Sequence, residues 1–174
     1  MSTLDTLPED EQMIVHTVRD FVDSEVKPVV AELEHANTYP EALIEQMKLL
    51  GIFGLAIPED NGGTAVSTPC YVLATEELAR GWMSLAGAMG GHTVVAKLLL
   101  RFGTEEQKKR YLPRMATGGV RATMALTESG GGSDLQDIRT IAAPDPSGGY
   151  LVNGSKTWIT NSRRSQLIAL LCKT

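Results

Sequence analysis

From Thr6 to about residue 118, apolar residues recur every three or four positions, the period that lays one face of an α-helix against a core. The breaks between these runs carry helix-start chemistry. Thr6-Leu7-Pro8-Glu9 predicts a capping box, with the Thr6 hydroxyl taking an orphan backbone N–H and Glu9 reaching back at the positive helix end. The helix it opens should turn Ile14, Val18, Phe21, Val22 and Val26 inward. Thr38-Tyr39-Pro40-Glu41 predicts the same device ahead of Leu43, Met47 and Leu50, with Gly51 closing the helix. Ser67-Thr68-Pro69 starts a helix that runs to Arg80, and a long apolar helix follows from about Met83 to Phe102. Thr104-Glu105-Glu106-Gln107 repeats the capping box before Tyr111, Leu112 and Met115, and Gly118-Gly119 stops that helix.

After Gly119 the period changes from helical to extended. Arg121 to Thr127 and Ile138 to Ala143 predict strands, and Tyr150 to Val152 leads through the turn-forming Asn153-Gly154 into a further strand from Lys156 to Thr160. The loop Pro144 to Gly149 separates the second and third. Gln166 to Cys172 predicts a buried strand with no partner after it. The fold class is therefore α+β: a helical domain over residues 1–119, then the first part of a β-domain over residues 120–174. An unfinished sheet leaves backbone groups open, so its completion is expected from further sequence or a second chain.

With 43% hydrophobic and 21% charged residues in 174, the chain can bury a real core. Its net charge of -5 argues against a nucleic-acid partner, and Lys108-Lys109-Arg110 reads as a solvated helix face. Runs such as Val94 to Leu100 are short and broken by charge, so no membrane span is expected. The opening Met1 to Asp5 lacks a basic region followed by an apolar one, and a cytoplasmic location is the expectation. Cys70 and Cys172 are expected to be buried free thiols. His16, His35 and His92 show no ligand spacing, and no metal site is expected.

Three segments carry candidate chemistry. Ala125 to Asp134 places a Gly-Gly-Gly-Ser run directly after a strand, where glycine lets backbone N–H groups approach a ligand, although such a run is often a plain linker. Trp158 and Thr160 are two apart, so on a strand their indole and hydroxyl would share a face, although a buried Trp is usually core. Ile57-Pro58-Glu59-Asp60-Asn61-Gly62-Gly63 reads as a structural turn.

Taken in order, these segments closely resemble the acyl-CoA dehydrogenase family. The likeness rests on Arg19-Asp20-Phe21 with Glu25-Val26-Lys27-Pro28, and on Gly51-Ile52-Phe53-Gly54 with Pro58, Glu59 and Asn61-Gly62-Gly63. It continues through Phe102 to Lys108 with Tyr111-Leu112-Pro113, Leu126-Thr127-Glu128 to Gly132-Ser133-Asp134, and Asn153-Gly154, Lys156 and Trp158 to Asn161. The resemblance implies that the β-domain is an antiparallel, barrel-like one, incomplete here, with a C-terminal helical domain absent. It also implies FAD as cofactor and the oxidation of an acyl-CoA thioester to the trans-2-enoyl-CoA, in fatty-acid or branched-chain breakdown.

By the same resemblance Met124, Leu126 and Thr127 lie along the flavin ring, and Trp158, Ile159 and Thr160 cover it from the other strand. Gly132 and Ser133 meet flavin and the pantetheine arm of the substrate. Gly87, Gly90, Gly91 and Val94, with Ala86 and Ala88, would line the acyl-chain pocket, and their missing side chains imply a roomy one; close helix packing is the other reading. The catalytic glutamate of relatives lies in the absent domain, so no catalytic residue is expected in this chain, and Glu128 is expected to be structural. Ser129 stands where the family has proline, which implies a looser loop. Implied partners are electron-transfer flavoprotein as oxidant and identical subunits in a dimer or tetramer, or a complementary C-terminal subunit. A flavin monooxygenase or nitroalkane oxidase of the same architecture, or a non-catalytic acyl-CoA- or flavin-binding module, are the alternatives.

Overall fold

The computed structural model describes residues 2–174. The first helix, α1, runs Glu9–Phe21 and buries Val15, Val18 and Phe21. The chain then widens into a π-helical turn, Val22–Val26, which keeps both Val22 and Val26 in the core. Two short helices follow, α2 at Val30–His35 and α3 at Glu41–Leu49. Neither expected N-terminal capping box forms in this half. Pro8 and Pro40 occupy the N-cap positions with no side-chain cap bond, and the hydroxyls of Thr6 and Thr38 turn back to the carbonyls of Thr3 and Ala36. A proline there fixes the entry angle itself, because its ring restricts φ, and it has no N–H of its own to satisfy. Leu43 and Met47 are buried as expected, but Leu50 is 39% exposed: it follows Leu49 at the helix end, where the chain turns through Gly51 at φ +70°.

The longest element, α4, spans Thr68–Phe102 and is interrupted at Trp82, whose φ of -158° and ψ of 111° are not helical. The two helices expected on either side of residues 81–82 thus meet end to end. Ser67 caps the first, accepting from the Cys70 N–H. The interruption has a packing reason. A Cβ on Gly81 would come within 2.5 Å of Val22 Cγ1, so only glycine lets α4 lie against the π-turn, and the displaced Trp82 sends its indole N–H to Glu34 at 2.7 Å. The expectation that no segment could cross a membrane needs correction. An 18-residue window of α4 reaches a mean hydropathy of 1.3, long and apolar enough on those grounds alone. Part of its apolar surface serves two cores. Ala74, Leu78, Leu85 and Met89 join α1, the π-turn and α3 in the first cluster, while Val95 and Ala96 join a second.

Helix α5, Glu105–Ala116, carries the capping box as read, with both reciprocal Thr104–Gln107 bonds present. Gly118, at φ +69°, ends it. The second cluster packs Leu112, Met115 and Ala116 of α5 on Ile57, Val120 and Ala122, so it joins the helices to the extended part.

Four strands follow: β1 at Ala122–Ala125, β2 at Ile141–Pro144, β3 at Tyr150–Asn153 and β4 at Leu167–Leu170. They are shorter than the sequence pattern implied. β2 and β3 pair antiparallel, but β1 and β4 pair parallel, with Ala122 opposite Leu167 and Ala125 opposite Leu170. No strand forms over Lys156 to Thr160; the chain there is irregular and ends in turns. β4 is half-exposed on alternate residues rather than fully buried, and Cys172 is only half-buried, whereas Cys70 is buried and its thiol is pushed up to about 11 by that burial.

Candidate functional site

β1 is held from behind by the helices. Its even-numbered side chains, Ala122 and Met124, face the second core with Leu167 and Ala169 of β4, as alternation along a strand requires. Thr123 and Ala125 face the other way, where the Thr123 hydroxyl donates to the Thr160 carbonyl at 2.6 Å. That bond draws the 158–162 turn over β1. Between them lies an open cavity of about 570 Å³ lined by Ala125, Lys156, Trp158, Ile159, Ile168 and Leu170.

Beyond the end of β1 the backbone is pinned through its carbonyls. The Thr157 N–H donates to the Thr127 carbonyl at 2.9 Å, and the Lys156 ammonium donates to the Leu126 carbonyl at 2.8 Å. The Glu128 carboxylate accepts from the Arg139 N–H, from the Thr140 N–H and hydroxyl, and from Lys156 at 2.9 Å, and its side chain is 9% exposed. The Thr140 hydroxyl, the Lys156 ammonium and the two N–H donors together hold this carboxyl far below the usual range. Gly154 closes the knot. Its φ is +156°, and a Cβ there would lie 2.4 Å from the Thr140 hydroxyl. A carboxylate fixed by three neutral donors and a cation is a brace, as expected of Glu128, and not a proton acceptor.

No acceptor among the described residues takes the N–H of Leu126, the N–H of Thr127 or the Thr127 hydroxyl, and Leu126 directly follows Ala125, which lines the cavity. Unpaired donors next to a cavity are suited to a planar acceptor-rich ligand. Gly132 lies alongside, with Thr127 Cγ2 3.4 Å from the position of a Cβ, while Ser133 is exposed. The loop between is not loose at its base, because Glu128 and Gly131 exchange two backbone hydrogen bonds across Ser129 and Gly130.

Trp158 and Thr160 do not form the strand wall expected of them. These residues do not lie on a strand: Trp158 takes a left-handed φ of +57° and is 89% exposed, and Thr160 begins a turn. Two-residue alternation therefore does not align them. What brings them near β1 is the Thr123–Thr160 bond, a tertiary contact. On α4, a Cβ on Gly87 or Gly90 would meet nothing within 4 Å, and on Gly91 only the Thr123 hydroxyl at 3.7 Å. Close helix packing within this chain is thus not what makes these positions small. Gly87 lines a second, broad cleft of about 1320 Å³ with Trp82, Tyr39 and Asn161, Val94 is exposed, and Ala86 and Ala88 turn into the first core.

Two buried polar residues escaped the sequence reading. His92, 1% exposed on α4, receives the Ala122 N–H at Nδ1 (3.2 Å) and lies with Nε2 3.1 Å from the Met115 carbonyl. An N–H can only donate, so Nδ1 is the acceptor and Nε2 carries the proton. Burial lowers the pKa to about 4, Arg121 adding to the fall. Arg121, also buried, donates to the Tyr39 hydroxyl at 2.8 Å and to the Arg164 carbonyl at 3.5 Å, tying α3's approach to the 161–166 turn. A lone histidine or arginine carries no spacing signal, so neither was legible. Among the described residues no cluster of three or more metal-ligating side chains occurs.

A helical layer joined through a buried core to a strand that ends in free donors defines the architecture. Comparison with known proteins gives it a family. The N-terminal domain of acyl-CoA dehydrogenases matches residues 8–119 and the middle domain of the same enzymes matches residues 123–174. The chain belongs to the acyl-CoA dehydrogenase family. It is 36% identical to (2S)-methylsuccinyl-CoA dehydrogenase of Cereibacter sphaeroides, over 97% of this chain and 31% of that protein. It superposes on butyryl-CoA dehydrogenase from Megasphaera elsdenii with a TM-score of 0.90 at 30% identity, covering 96% of this chain and 45% of that one. An acyl-CoA dehydrogenase complexed with FAD from Bacillus anthracis gives 0.88 at 34% identity, over 97% and 29%. The chain spans less than half the length of these relatives.

Proposed function

We propose that the full-length protein to which this chain contributes is an FAD-dependent acyl-CoA dehydrogenase, forming a trans-2-enoyl-CoA from an acyl-CoA thioester. The observation that carries the reading is the set of free donors at Leu126 and Thr127, beside a cavity roofed by the exposed, left-handed Trp158. These residues fit a flavin: the N–H groups and hydroxyl match an acceptor-rich ring edge, and the indole offers an apolar cover. When bound, FAD would accept the substrate's β-hydride. The residues of this chain would hold the ring through Leu126, Thr127 and Gly132, cover it with Trp158, Ile159 and Thr160, and exclude water from it. Fixed donors of this kind are worth a few kcal/mol each where charge develops. Met124 serves from behind, keeping β1 on the helices. The α-proton must go to a base outside this chain, because Glu128 is committed. Ser133, Gly87, Gly90, Gly91 and Val94 are our candidates for substrate contact. Electron-transfer flavoprotein as oxidant and a homo-oligomeric assembly, or a complementary C-terminal subunit, complete the proposal.

Anaerobic titration of the full-length protein with acyl-CoA thioesters of increasing length tests it. Bleaching of the flavin's visible absorbance by substrate alone is the expected result. A protein that purifies without flavin, or one bleached only by an added reductant with oxygen uptake, refutes the dehydrogenase reading. A length series peaking at butyryl-CoA refutes the roomy pocket while leaving the reaction intact.

A further inference from the structure

The flavin reading gives the Leu126–Thr127 peptide a special position. Its carbonyl, on Leu126, accepts from the Lys156 ammonium at 2.8 Å, while its N–H, on Thr127, points the opposite way across a trans peptide and has no acceptor among the described residues. One peptide group thus has a cation on one end and a free donor on the other. Drawing electron density toward the carbonyl makes the N–H of the same amide more positive, since bonded amides polarise one another and do so more strongly where water is excluded. Lys156 is placed for this. Its side chain is 8% exposed, its ion pair with Glu128 fixes the ammonium, and Glu128 is itself tied to Arg139 and Thr140. The neighbouring Thr127 carbonyl is taken by the neutral Thr157 N–H, so the charge is delivered to one peptide alone.

We propose that Lys156 is a positioning residue that acts through the Leu126–Thr127 peptide, aiming and strengthening the Thr127 N–H toward a bound flavin so that the reduced, more electron-rich form is held more tightly than the oxidised one. The inference rests on the flavin reading above. A plain brace would support both redox forms equally; a relay of charge favours one.

The test uses the full-length protein with FAD, measuring the affinities of oxidised and reduced FAD, the two-electron midpoint potential and the thermal midpoint for wild type, Lys156→Met, Lys156→Arg and Glu128→Gln. Lys156→Met is expected to lose about tenfold more affinity for reduced than for oxidised FAD, which places the potential about 30 mV lower. Lys156→Arg keeps the cation and should stay within about twofold of wild type. Glu128→Gln should move the potential the opposite way, upward, because it removes the anion that offsets the ammonium; this arm decides the matter if Lys156→Met does not fold. Equal losses for both redox forms, or a downward shift in Glu128→Gln, overturn the proposal and leave Lys156 a brace. Wild-type protein that binds no FAD overturns the flavin reading itself and this inference with it.

Discussion

The neutral, doubly bonded His92 makes a quantitative prediction about acid stability. In the folded protein the ring is held near a pKa of about 4, against an ordinary value of 6.5, by burial among α4, α5 and β1, with the Arg121 cation adding to the effect. Phe53 and the Met115 carbonyl, the other groups that pack on the ring, bring no charge. Because the folded pKa is depressed, the unfolded chain binds the proton first. The contribution is therefore fully present above about pH 6.5 and is lost as pH falls from there to about 4. At 1.36 kcal/mol for each pKa unit, the loss across that window is about 3 kcal/mol, a large part of a domain's stability. Urea denaturation midpoints of the full-length protein at several pH values, for wild type and His92→Gln, isolate it. Glutamine offers an acceptor and a donor but does not titrate, so the wild-type stability should fall more steeply with acid than the variant's, by about 1.4 kcal/mol per pH unit at most. Parallel slopes in the two proteins between pH 6.5 and 4 would refute the assignment of a buried neutral ring.

Three further outcomes follow from single contacts in the structure. Gly63→Ala should destabilise by more than about 3 kcal/mol in a denaturant melt, above the usual overpacking cost, because the new Cβ would lie 2.0 Å from the Ile57 carbonyl oxygen, a backbone atom that cannot step aside. Thr104→Ala should cost about 1 kcal/mol in the same measurement, the worth of one N-cap, whereas Thr6→Ala, which caps nothing, should cost less than half of that. Trp158→Ala should leave the thermal midpoint unchanged, since its side chain is exposed, yet weaken FAD binding about fivefold in the full-length protein, the value of one aromatic contact of about 1 kcal/mol. Unchanged FAD affinity would remove the indole from the site.

What the sequence determined by itself is what lies within one helical turn. The Thr104 box, the Ser67 cap, the stops at Gly51 and Gly118 and the inward row Val18, Phe21, Val22 and Val26 all depend on residues three or four apart, so their pattern is their structure. The break in the long helix falls where the sequence separates two helices, although its cause, the approach of the π-turn to Gly81, is tertiary. The local rule failed at Thr6 and Thr38, where proline took the cap position and the hydroxyls found nearer carbonyls. Tertiary structure decided everything that needs a distant partner. A strand exists only where another chain segment completes its hydrogen bonds, so the pattern over Lys156 to Thr160 produced a turn, and β1 found β4 in parallel 45 residues away, Ala122 opposite Leu167. The same holds for the site. Thr127 and Trp158 could be named from their motifs, but the side chains that aim them, Lys156 on the Leu126 carbonyl, Glu128 on Arg139 and Thr140, and His92 on Ala122, act across 11 to 30 residues of chain, and only folding brings those pairs within hydrogen-bond reach.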